Sequence, residues 1–388
     1  MNEKNLSVFI DFGSSKIRLG IFNQENSKKI FSLDQDCISN FNINNFDIEE
    51  SKDVIKNLIK NAEKKINLHI KNINLMLDTP DMFSVDMTIK KKSEYKKYTQ
   101  NDIQSLLQEA KILIQNNYLN KKIIHMIVKK FVFDKKVFYK IPTEEVNSNF
   151  LIIEIKFICF YSQIWENFQN SFSENYLKID NIYCSSYIRS INYNSNFDQY
   201  NKKIILDIGY GKSAITIFKQ NRVLYFNILP IGSKHITNDI SLLLKINVED
   251  AEKLKKSLNE SETIFLSKPQ QNEKLDQSEL CNQVIFARVD EIIKLNLTDN
   301  YFNTFLNEAD DCILIFIGEG AKILNKNSIY LEKKFDFFKE ISFFEENTSL
   351  ICESGFNFKR FNSFQEVNFF QKKHKNKGFF EKLFRLLS

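Results

Sequence analysis

The chain has 388 residues, of which 43% are hydrophobic, and a formal net charge of +5. This length predicts two or more lobes, and the small charge, without a stripe of basic and aromatic residues, indicates no nucleic-acid partner. Six cysteines without CxxC spacing are typical of reduced core residues in a cytosolic protein, and four unclustered histidines predict no zinc site. We expect no signal peptide, and no apolar run is long enough to span a bilayer.

The first predicted elements form a hairpin around an Asp-x-Gly turn. An apolar strand over residues 7–10 ends at Asp11, and a second strand follows over residues 17–22. A third strand near residues 29–33, a helix with its apolar side chains between residues 54 and 66, and a buried strand over residues 70–77 complete a β-β-β-α-β unit. The turn itself consists of Gly13, Ser14, Ser15 and Lys16.

A second α/β unit is predicted between residues 83 and 172. It starts with a charged stretch over residues 90–97 and a helix whose capping box begins at Thr99. Strands over residues 122–133, 135–141 and 149–161 follow, and then a helix over residues 162–173. For His125, in the first of these strands, we favour a structural role over a catalytic one.

A connecting helix is predicted over residues 182–193, and a second Asp-x-Gly hairpin follows it. Its first strand, residues 204–206, leads to Asp207, and the return strands run over residues 214–218 and up to Gly232. The second turn contains Gly209, Gly211, Lys212 and Ser213.

Two such turns, about 200 residues apart, predict a duplicated nucleotide clamp. Glycine allows backbone N–H groups to approach a phosphate oxygen closely. A carboxylate beside phosphate needs a cation between them, so Asp11 and Asp207 predict magnesium held through water. Either turn by itself is equally consistent with an ordinary hairpin and an Asx-type turn.

The remaining globular part is predicted to be mostly helical. Two short helices lie within residues 234–256, and a long one over residues 275–295 carries Arg288. An apolar strand over residues 312–317 ends in a third glycine turn, at which a helix begins, and a last helix is predicted near residues 350–358. Glycine in this turn lets the backbone pack under a nucleoside. The turn consists of Gly318, Glu319, Gly320 and Ala321.

The C-terminal segment has the pattern of a membrane-binding amphipathic helix. An aromatic-rich apolar face next to lysines is suited to an anionic lipid interface, and the alternative is a helix that docks on its own core. The residues expected at lipid are Lys372, Lys373, Lys375, Lys377, Phe379, Phe380, Lys382, Leu383, Phe384, Arg385, Leu386 and Leu387.

Two runs are specific enough to indicate a family. Residues 232–240, GSKHITNDI, resemble the G-x-x-H-[IV]-T-N-D-[IL] helix start of the FtsA family, and residues 250–255, DAEKLK, resemble its later D-A-E-x-[IL]-K helix. FtsA belongs to the actin/Hsp70/hexokinase-like ATPases, and the three glycine turns resemble their phosphate-1, phosphate-2 and adenosine motifs. The segment 123–134 is similar to an FtsA strand, with Val128 where that strand prefers proline. The resemblance extends from residue 8 to the C-terminus.

This resemblance implies an α/β, actin-like (ribonuclease H-like) two-lobed ATPase fold with an inserted subdomain and a C-terminal amphipathic helix. Subdomain 1A would comprise residues 1–82 and 173–201, and the inserted 1C residues 83–172. Subdomain 2A would comprise residues 202–230 and 309–368, and 2B residues 231–308. A basic linker and the membrane helix would form residues 369–388. Gly355 resembles the glycine at which two helices cross between the lobes.

The resemblance also implies cofactors and site residues. ATP and magnesium would bind between the lobes, and Glu252 and Lys255 stand where relatives contact ribose and adenine. Tyr210, Lys212 and Glu319 depart from the family's turns, so we expect ATP binding with weak or no hydrolysis.

The implied function is that of a cell division protein on the cytoplasmic face of the inner membrane at the septum. It would polymerise, bind the C-terminal peptide of the tubulin-like FtsZ through 2B, and contact later division proteins through 1C. Two alternatives remain open: a scaffold similar to the pilus protein PilM, and a phosphotransferase of the sugar-kinase type. The terminal helix favours FtsA over PilM. The phosphotransferase is disfavoured because the sequence offers no candidate catalytic base with a substrate pocket.

Overall fold

The computed structural model describes residues 5–37, 41–42, 45–46, 49–79, 81–92, 97–260, 277–297, 311–325, 335–336, 338–361 and 366. Its strands are β1 (Leu6–Phe12), β2 (Lys16–Asn23), β3 (Lys29–Asp36), β4 (Phe41–Asn42), β5 (Asn45–Phe46), β6 (Asn72–Leu77), β7 (Phe83–Lys92), β8 (Lys97–Tyr98), β9 (Lys121–Phe133), β10 (Lys136–Phe138), β11 (Val146–Asn147), β12 (Phe150–Tyr161), β13 (Lys178–Cys184), β14 (Lys202–Ile208), β15 (Ser213–Lys219), β16 (Arg222–Leu229), β17 (Cys312–Ile317) and β18 (Glu340–Phe343). Its α-helices are α1 (Glu49–Ile66), α2 (Gln100–Asn117), α3 (Ser162–Glu174), α4 (Ser185–Asn194), α5 (Ser233–Leu244), α6 (Val248–Glu260), α7 (Gln277–Leu297), α8 (Lys322–Asn325) and α9 (Thr348–Phe361).

The two lobes are built on five-stranded sheets with the same topology. The first has the order β3-β2-β1-β6-β13 and the second the order β16-β15-β14-β17-β18. In each sheet three antiparallel strands come first and two parallel strands follow. The central strands β1 and β14 are almost entirely buried, as strands covered on both faces should be. The predicted duplication of the Asp-x-Gly hairpin is therefore confirmed, together with the two-lobed architecture.

One hydrophobic core is shared by both sheets, and α4 and α9 lie within it. Phe356 of α9 stacks on Phe22 of the first sheet, and Tyr187 of α4 contacts Phe226 of the second edge-on. The two helices also contact each other, with the Asn192 side chain donating to the Ser354 hydroxyl. This pair of helices links the lobes, as the resemblance implied.

The outer face of the second sheet is covered by helices of the predicted 2B region. Ile236 and Ile240 of α5 and Ile285 and Ile292 of α7 are fully buried against it. Part of 2B, residues 261–276 and 298–310, lies outside the described residues.

The inserted unit has its own sheet, of order β10-β9-β12-β7, and its own core under α2. The predicted capping box is present, because Thr99 accepts from the Asp102 N–H while the Asp102 carboxylate accepts from the Thr99 N–H. The Ser84 hydroxyl of β7 donates to the Phe226 carbonyl oxygen at 3.0 Å, so the unit also contacts edge strand β16 of the second lobe.

Four predictions need correction. The connecting helix begins at Ser185, since residues 182–184 pair with β6 as the end of β13. The strands that were not predicted are β4, β5, β7, β8, β11, β13 and β18. Helix α3, assigned to 1C, buries Ile164, Phe168 and Phe172 in the shared core. Helix α9, assigned to 2A, packs on the first sheet, where Gly355 lies against Phe9 and Met76.

Within the described part of the chain, no helix combines the length and apolarity needed to cross a bilayer. The predicted membrane helix, residues 379–388, and its lysine-rich linker lie outside the described residues.

Candidate functional site

The predicted site residues converge on two neighbouring cavities between the lobes. The inner cavity measures about 90 Å³ and the outer one about 440 Å³. The predicted residues in the inner wall are Asp11, Gly13, Ser14, Ser15, Asp207, Gly209, Lys212, Gly318 and Ala321. Those in the outer wall are Ser15, Lys16, Glu252, Lys255 and Gly320.

The two Asp-x-Gly turns are alike and contact each other directly. The Gly13 N–H donates to the Lys16 carbonyl at 3.0 Å, and the Gly209 N–H donates to the Lys212 carbonyl at 2.9 Å. Across the cleft, the Gly211 N–H donates to the Ser14 hydroxyl at 3.0 Å. Tyr210 is not among the residues with positive φ, so this departure from glycine carries no left-handed strain.

Asp11 lies near the end of β1, and both of its carboxylate oxygens are engaged by the protein. Oδ2 is 3.0 Å from Nη1 of Arg18, which stands opposite Asp11 in the β1–β2 register. Oδ1 accepts from the Ser185 hydroxyl at 2.6 Å. Burial lowers the pKa of the Arg18 guanidinium, but Asp11 and further carboxylates outweigh it and raise that pKa above its usual value. Arg18 therefore remains positively charged in its ion pair with Asp11.

Asp207 occupies the equivalent place on β14 and has a second arginine as its partner. Nη2 of Arg189, from α4, contacts the Asp207 carboxylate, and Nη1 lies 2.9 Å from both oxygens of Glu346. Burial opposes the charge of Arg189, but Asp207 and Glu346 raise the guanidinium pKa well above its usual value. Glu346 also accepts from the Gly318 N–H at 2.9 Å. One buried cation thus holds two carboxylates of the second lobe.

Asp78, at the end of β6, is the third buried carboxylate of the cleft. It accepts from the backbone N–H and the hydroxyl of Ser186 and contacts Nζ of Lys212 from the other lobe. Burial lowers the pKa of the Lys212 ammonium to about 7 against the opposing effect of Asp11. We nevertheless expect Lys212 to be protonated, because its ammonium forms an ion pair with Asp78 across the lobes.

The outer cavity contains the residues that the resemblance assigned to the nucleoside. Nζ of Lys255 lies 2.6 Å from Glu252 and donates to the Thr237 hydroxyl at 2.8 Å, which fixes α6 against α5. Burial lowers the pKa of Lys255, opposed by Glu252. Helix α6 thus presents Glu252 and Lys255 to this cavity as a pair.

Two predicted site residues line neither cavity. Gly211 serves instead in the contact between the turns, while Ser213 is buried and accepts from the Asn296 side chain of α7 at 2.9 Å. Ser213 faces away from the cleft because side chains alternate along β15.

His125 has the structural role that was favoured for it. It is buried, its Nε2 accepts from the Cys184 N–H at 2.9 Å, and its Nδ1 lies 2.7 Å from Glu366. Because Nε2 is the acceptor, Nδ1 carries the proton and donates to Glu366. This link holds the chain that precedes the C-terminal segment against the base of the inserted unit.

The residues present do not fit a magnesium ion bound directly to the carboxylates of Asp11 and Asp207. Magnesium requires several oxygen ligands or waters in near-octahedral geometry, whereas both carboxylates already contact a guanidinium. Oδ1 of Asp207 has no hydrogen-bond partner within the described residues and is buried away from solvent. Within those residues no group of three or more histidine, cysteine or acidic side chains could hold a metal.

Sequence reasoning missed several residues of the cleft. Asp78 follows a buried strand, as Asp11 and Asp207 do, so the same signal could have identified it. Arg18 could have been placed opposite Asp11 from the length of the hairpin turn. Arg189 and Glu346 carried no such signal, since they meet only through tertiary packing.

The chain is similar in sequence to known cell division proteins. Residues 204–349 match the sequence model of the family described as Cell division protein FtsA. The chain is 24% identical to the Cell division protein FtsA of Bacillus subtilis, over 76% of this chain and 69% of that protein. It is 22% identical to that of Streptococcus pneumoniae, over 82% and 70%.

Among solved structures, the chain is similar to one of a PilM-PilN type IV pilus biogenesis complex, with a TM-score of 0.61, 10% identity and 87% of each chain covered. MreB 5 of Spiroplasma citri bound to AMPPNP aligns over 93% of this chain and 97% of that one, with 12% identity and a TM-score of 0.49. At such identity the PilM-PilN likeness shows the fold alone. The chain is thus similar in sequence to Cell division protein FtsA, and it has the actin-like ATPase fold.

Proposed function

We propose that the protein is an ATP-binding, actin-like cell division protein that polymerises on the cytoplasmic face of the inner membrane and tethers the FtsZ ring to it at the septum. The observation that carries this proposal is the convergence of the two Asp-x-Gly turns and the third glycine turn on one cleft. In this role the nucleotide fixes the angle between the lobes, and the lobe angle controls assembly.

ATP would lie with its nucleoside in the outer cavity and its phosphates towards the turns. The outer cavity, about 440 Å³, has the size usual for small-molecule sites and is lined by Glu252, Lys255 and Gly320. The phosphates would approach Ser14 and Lys212, where hydroxyl and ammonium donors from both lobes meet. A ligand held there contacts both lobes at once.

Hydrolysis would be weak or absent. A general base needs a free oxygen within hydrogen-bond reach of the attacking water. Both oxygens of Asp11 are already engaged by Arg18 and Ser185. Oδ2 of Asp207 is held by Arg189, and its Oδ1 is buried away from solvent. We therefore propose a nucleotide that acts as a structural switch.

Partner binding would use the two peripheral units. The 2B helices would bind the C-terminal peptide of FtsZ; they present Leu242, 77% exposed, and Arg288, which is fixed by Asp239 at 2.7 Å. The inserted unit 1C would contact the next subunit of the filament and later division proteins. Its edge strand β10 presents Val137, 47% exposed.

Membrane binding would come from the C-terminal segment, residues 369–388. Each basic residue near an anionic surface contributes about 1 kcal/mol, in addition to the burial of the aromatic face. Because many weak attachments on one filament add up through avidity, polymerisation and anchoring would reinforce each other.

The test is co-sedimentation of the purified full chain with anionic liposomes, with and without ATP. A version that ends after Lys377 removes the helix and keeps the lysines, and liposomes of neutral lipid are the matched control. We expect the full chain to pellet with anionic liposomes, more strongly with ATP, and the truncated chain to remain in the supernatant.

Equal pelleting of both versions, or of neither, would contradict the membrane role. A cleft-bound ATP without lipid binding would then favour a scaffold similar to PilM over the FtsA role.

A further inference from the structure

Two buried arginines stand where a metal-dependent nucleotide clamp would need a divalent cation. Arg18 and Asp11 are 8% and 6% exposed at their side chains, and Arg189 and Asp207 are 9% and 4% exposed. The two arginines come from different elements, strand β2 and helix α4, yet each contacts the carboxylate at the end of one lobe's first strand. The aspartates at equivalent positions of the two lobes are thus each paired with a buried arginine.

The two guanidinium groups neutralise carboxylates that a magnesium ion would otherwise screen from phosphate. A carboxylate close to a phosphate is repelled unless a positive charge lies between them. In this cleft Arg18 supplies that charge for Asp11, and Arg189 supplies it for Asp207 and Glu346. Lys212 does the same for Asp78.

A metal ion bound directly to Asp11 or Asp207 would have to displace these pairs. Separating Arg18 from Asp11 would leave the buried guanidinium with only its 3.5 Å contact to Glu319, a half-exposed carboxylate, which is unfavourable.

We propose that the cleft binds its nucleotide without a divalent cation, with Arg18 and Arg189 screening the carboxylates that a metal would otherwise screen from the phosphates. This inference rests on the proposed nucleotide binding and specifies its form. The ligand class is a metal-free nucleotide, whose phosphates contact Lys212, the Ser14 hydroxyl and the backbone of the two turns.

The test is a titration of the full chain with a fluorescent ATP analogue, once with excess magnesium and once with excess EDTA. We expect the two dissociation constants to agree within about twofold, well below the tenfold that a difference of about 1.4 kcal/mol produces. A loss of about tenfold or more in EDTA would overturn the inference but leave nucleotide binding intact. Absence of binding in both buffers would overturn the inference and the nucleotide part of the proposed function together.

A variant tests the role of the arginine directly. Arg18→Gln keeps much of the side-chain volume but leaves Asp11 without its cation, so binding should become sensitive to EDTA, with magnesium restoring it. Arg360→Gln, at an exposed arginine in the last turn of α9, is the matched control and should behave as the parent chain does. Insensitivity to EDTA in folded Arg18→Gln would contradict the assignment to Arg18. If circular dichroism shows that this variant is unfolded, the titrations of the parent chain in magnesium and in EDTA still test the inference.

Discussion

At the scale of single residues, buried cations organise the cleft. Arg189 illustrates this most clearly, because its guanidinium holds Asp207 and both oxygens of Glu346 while it is almost inaccessible to water. Glu346 in turn accepts from the Gly318 N–H, which joins the arginine to the third glycine turn. The site therefore depends on a few ion pairs whose partners cannot be replaced by solvent.

Arg189→Met should destabilise the protein severely. Removing one partner of a buried ion pair typically costs about 3–5 kcal/mol, because the remaining charge has no compensation. Urea unfolding followed by circular dichroism would measure the change against Arg360→Met, where a surface substitution should stay within about 0.5 kcal/mol. A loss below about 1 kcal/mol for Arg189→Met would show that water or another cation takes over the role.

Gly318 is the one glycine of the turns whose backbone requires glycine. Its φ is +93°, and an added Cβ would come within 2.4 Å of Asp207 Oδ1 and 2.5 Å of the Ile208 carbonyl oxygen. Gly318→Ala should therefore lose about 1–3 kcal/mol from backbone strain alone, with a further loss from the clash.

The matched control for that substitution is Gly211→Ala. There the nearest atom to the added Cβ is the Ser14 hydroxyl oxygen at 3.3 Å, a contact that a small shift of the serine side chain relieves. Thermal unfolding of both variants measures the difference, and equal melting temperatures would rule out strain at Gly318.

At the scale of elements, the two crossing helices determine how the lobes are joined. Helix α9 contributes Ile351, Cys352 and Phe356 to the core shared by both sheets. It lies so close to the first sheet that glycines are required on both sides of the contact: an added Cβ on Gly20 would meet Cys352 at 2.4 Å, and one on Gly355 would meet Phe9 and Met76 at 2.6 Å. Because neither glycine has a side chain, the backbones of the helix and the sheet approach each other more closely than side chains would allow.

Gly355→Ala should destabilise the protein although alanine favours helix. Overpacking costs about 1–3 kcal/mol, against a gain of about 1 kcal/mol in helix propensity. We expect a net loss of about 1–2 kcal/mol in urea unfolding, with Arg360→Ala in the same helix as the control. A net gain in stability would show that the ring of Phe9 can move aside.

The elements that the sequence predicted correctly have strong local signals. Both hairpins combine apolar strands with Asp-x-Gly turns, and α2 has its capping box at Thr99. The start of α4 was misplaced because residues 182–184 suit a helix or a strand, and pairing with β6 decides between them. Glu346 follows β18, a strand of four residues that only its pairing with β17 defines, so its place in the site could not be predicted.

At the scale of the whole molecule, the lobes contact each other directly through the cleft. Lys212 of the second lobe contacts Asp78 of the first, and Arg18 of the first lies 3.5 Å from Glu319 of the second. The inserted unit adds a contact of its own between Ser84 and Phe226. A ligand that enters between the turns must rearrange these contacts, so its binding and the lobe angle are coupled.

The most direct test of the proposed role is recruitment of labelled FtsZ to a supported anionic bilayer in the presence of this protein and ATP. The account predicts that FtsZ accumulates on the bilayer with the full chain. It should remain in solution with the chain truncated after Lys377, or when the C-terminal peptide of FtsZ is removed. Accumulation of FtsZ on the bilayer with the truncated chain, or none with the full chain bound to the bilayer, would contradict a membrane tether for the FtsZ ring.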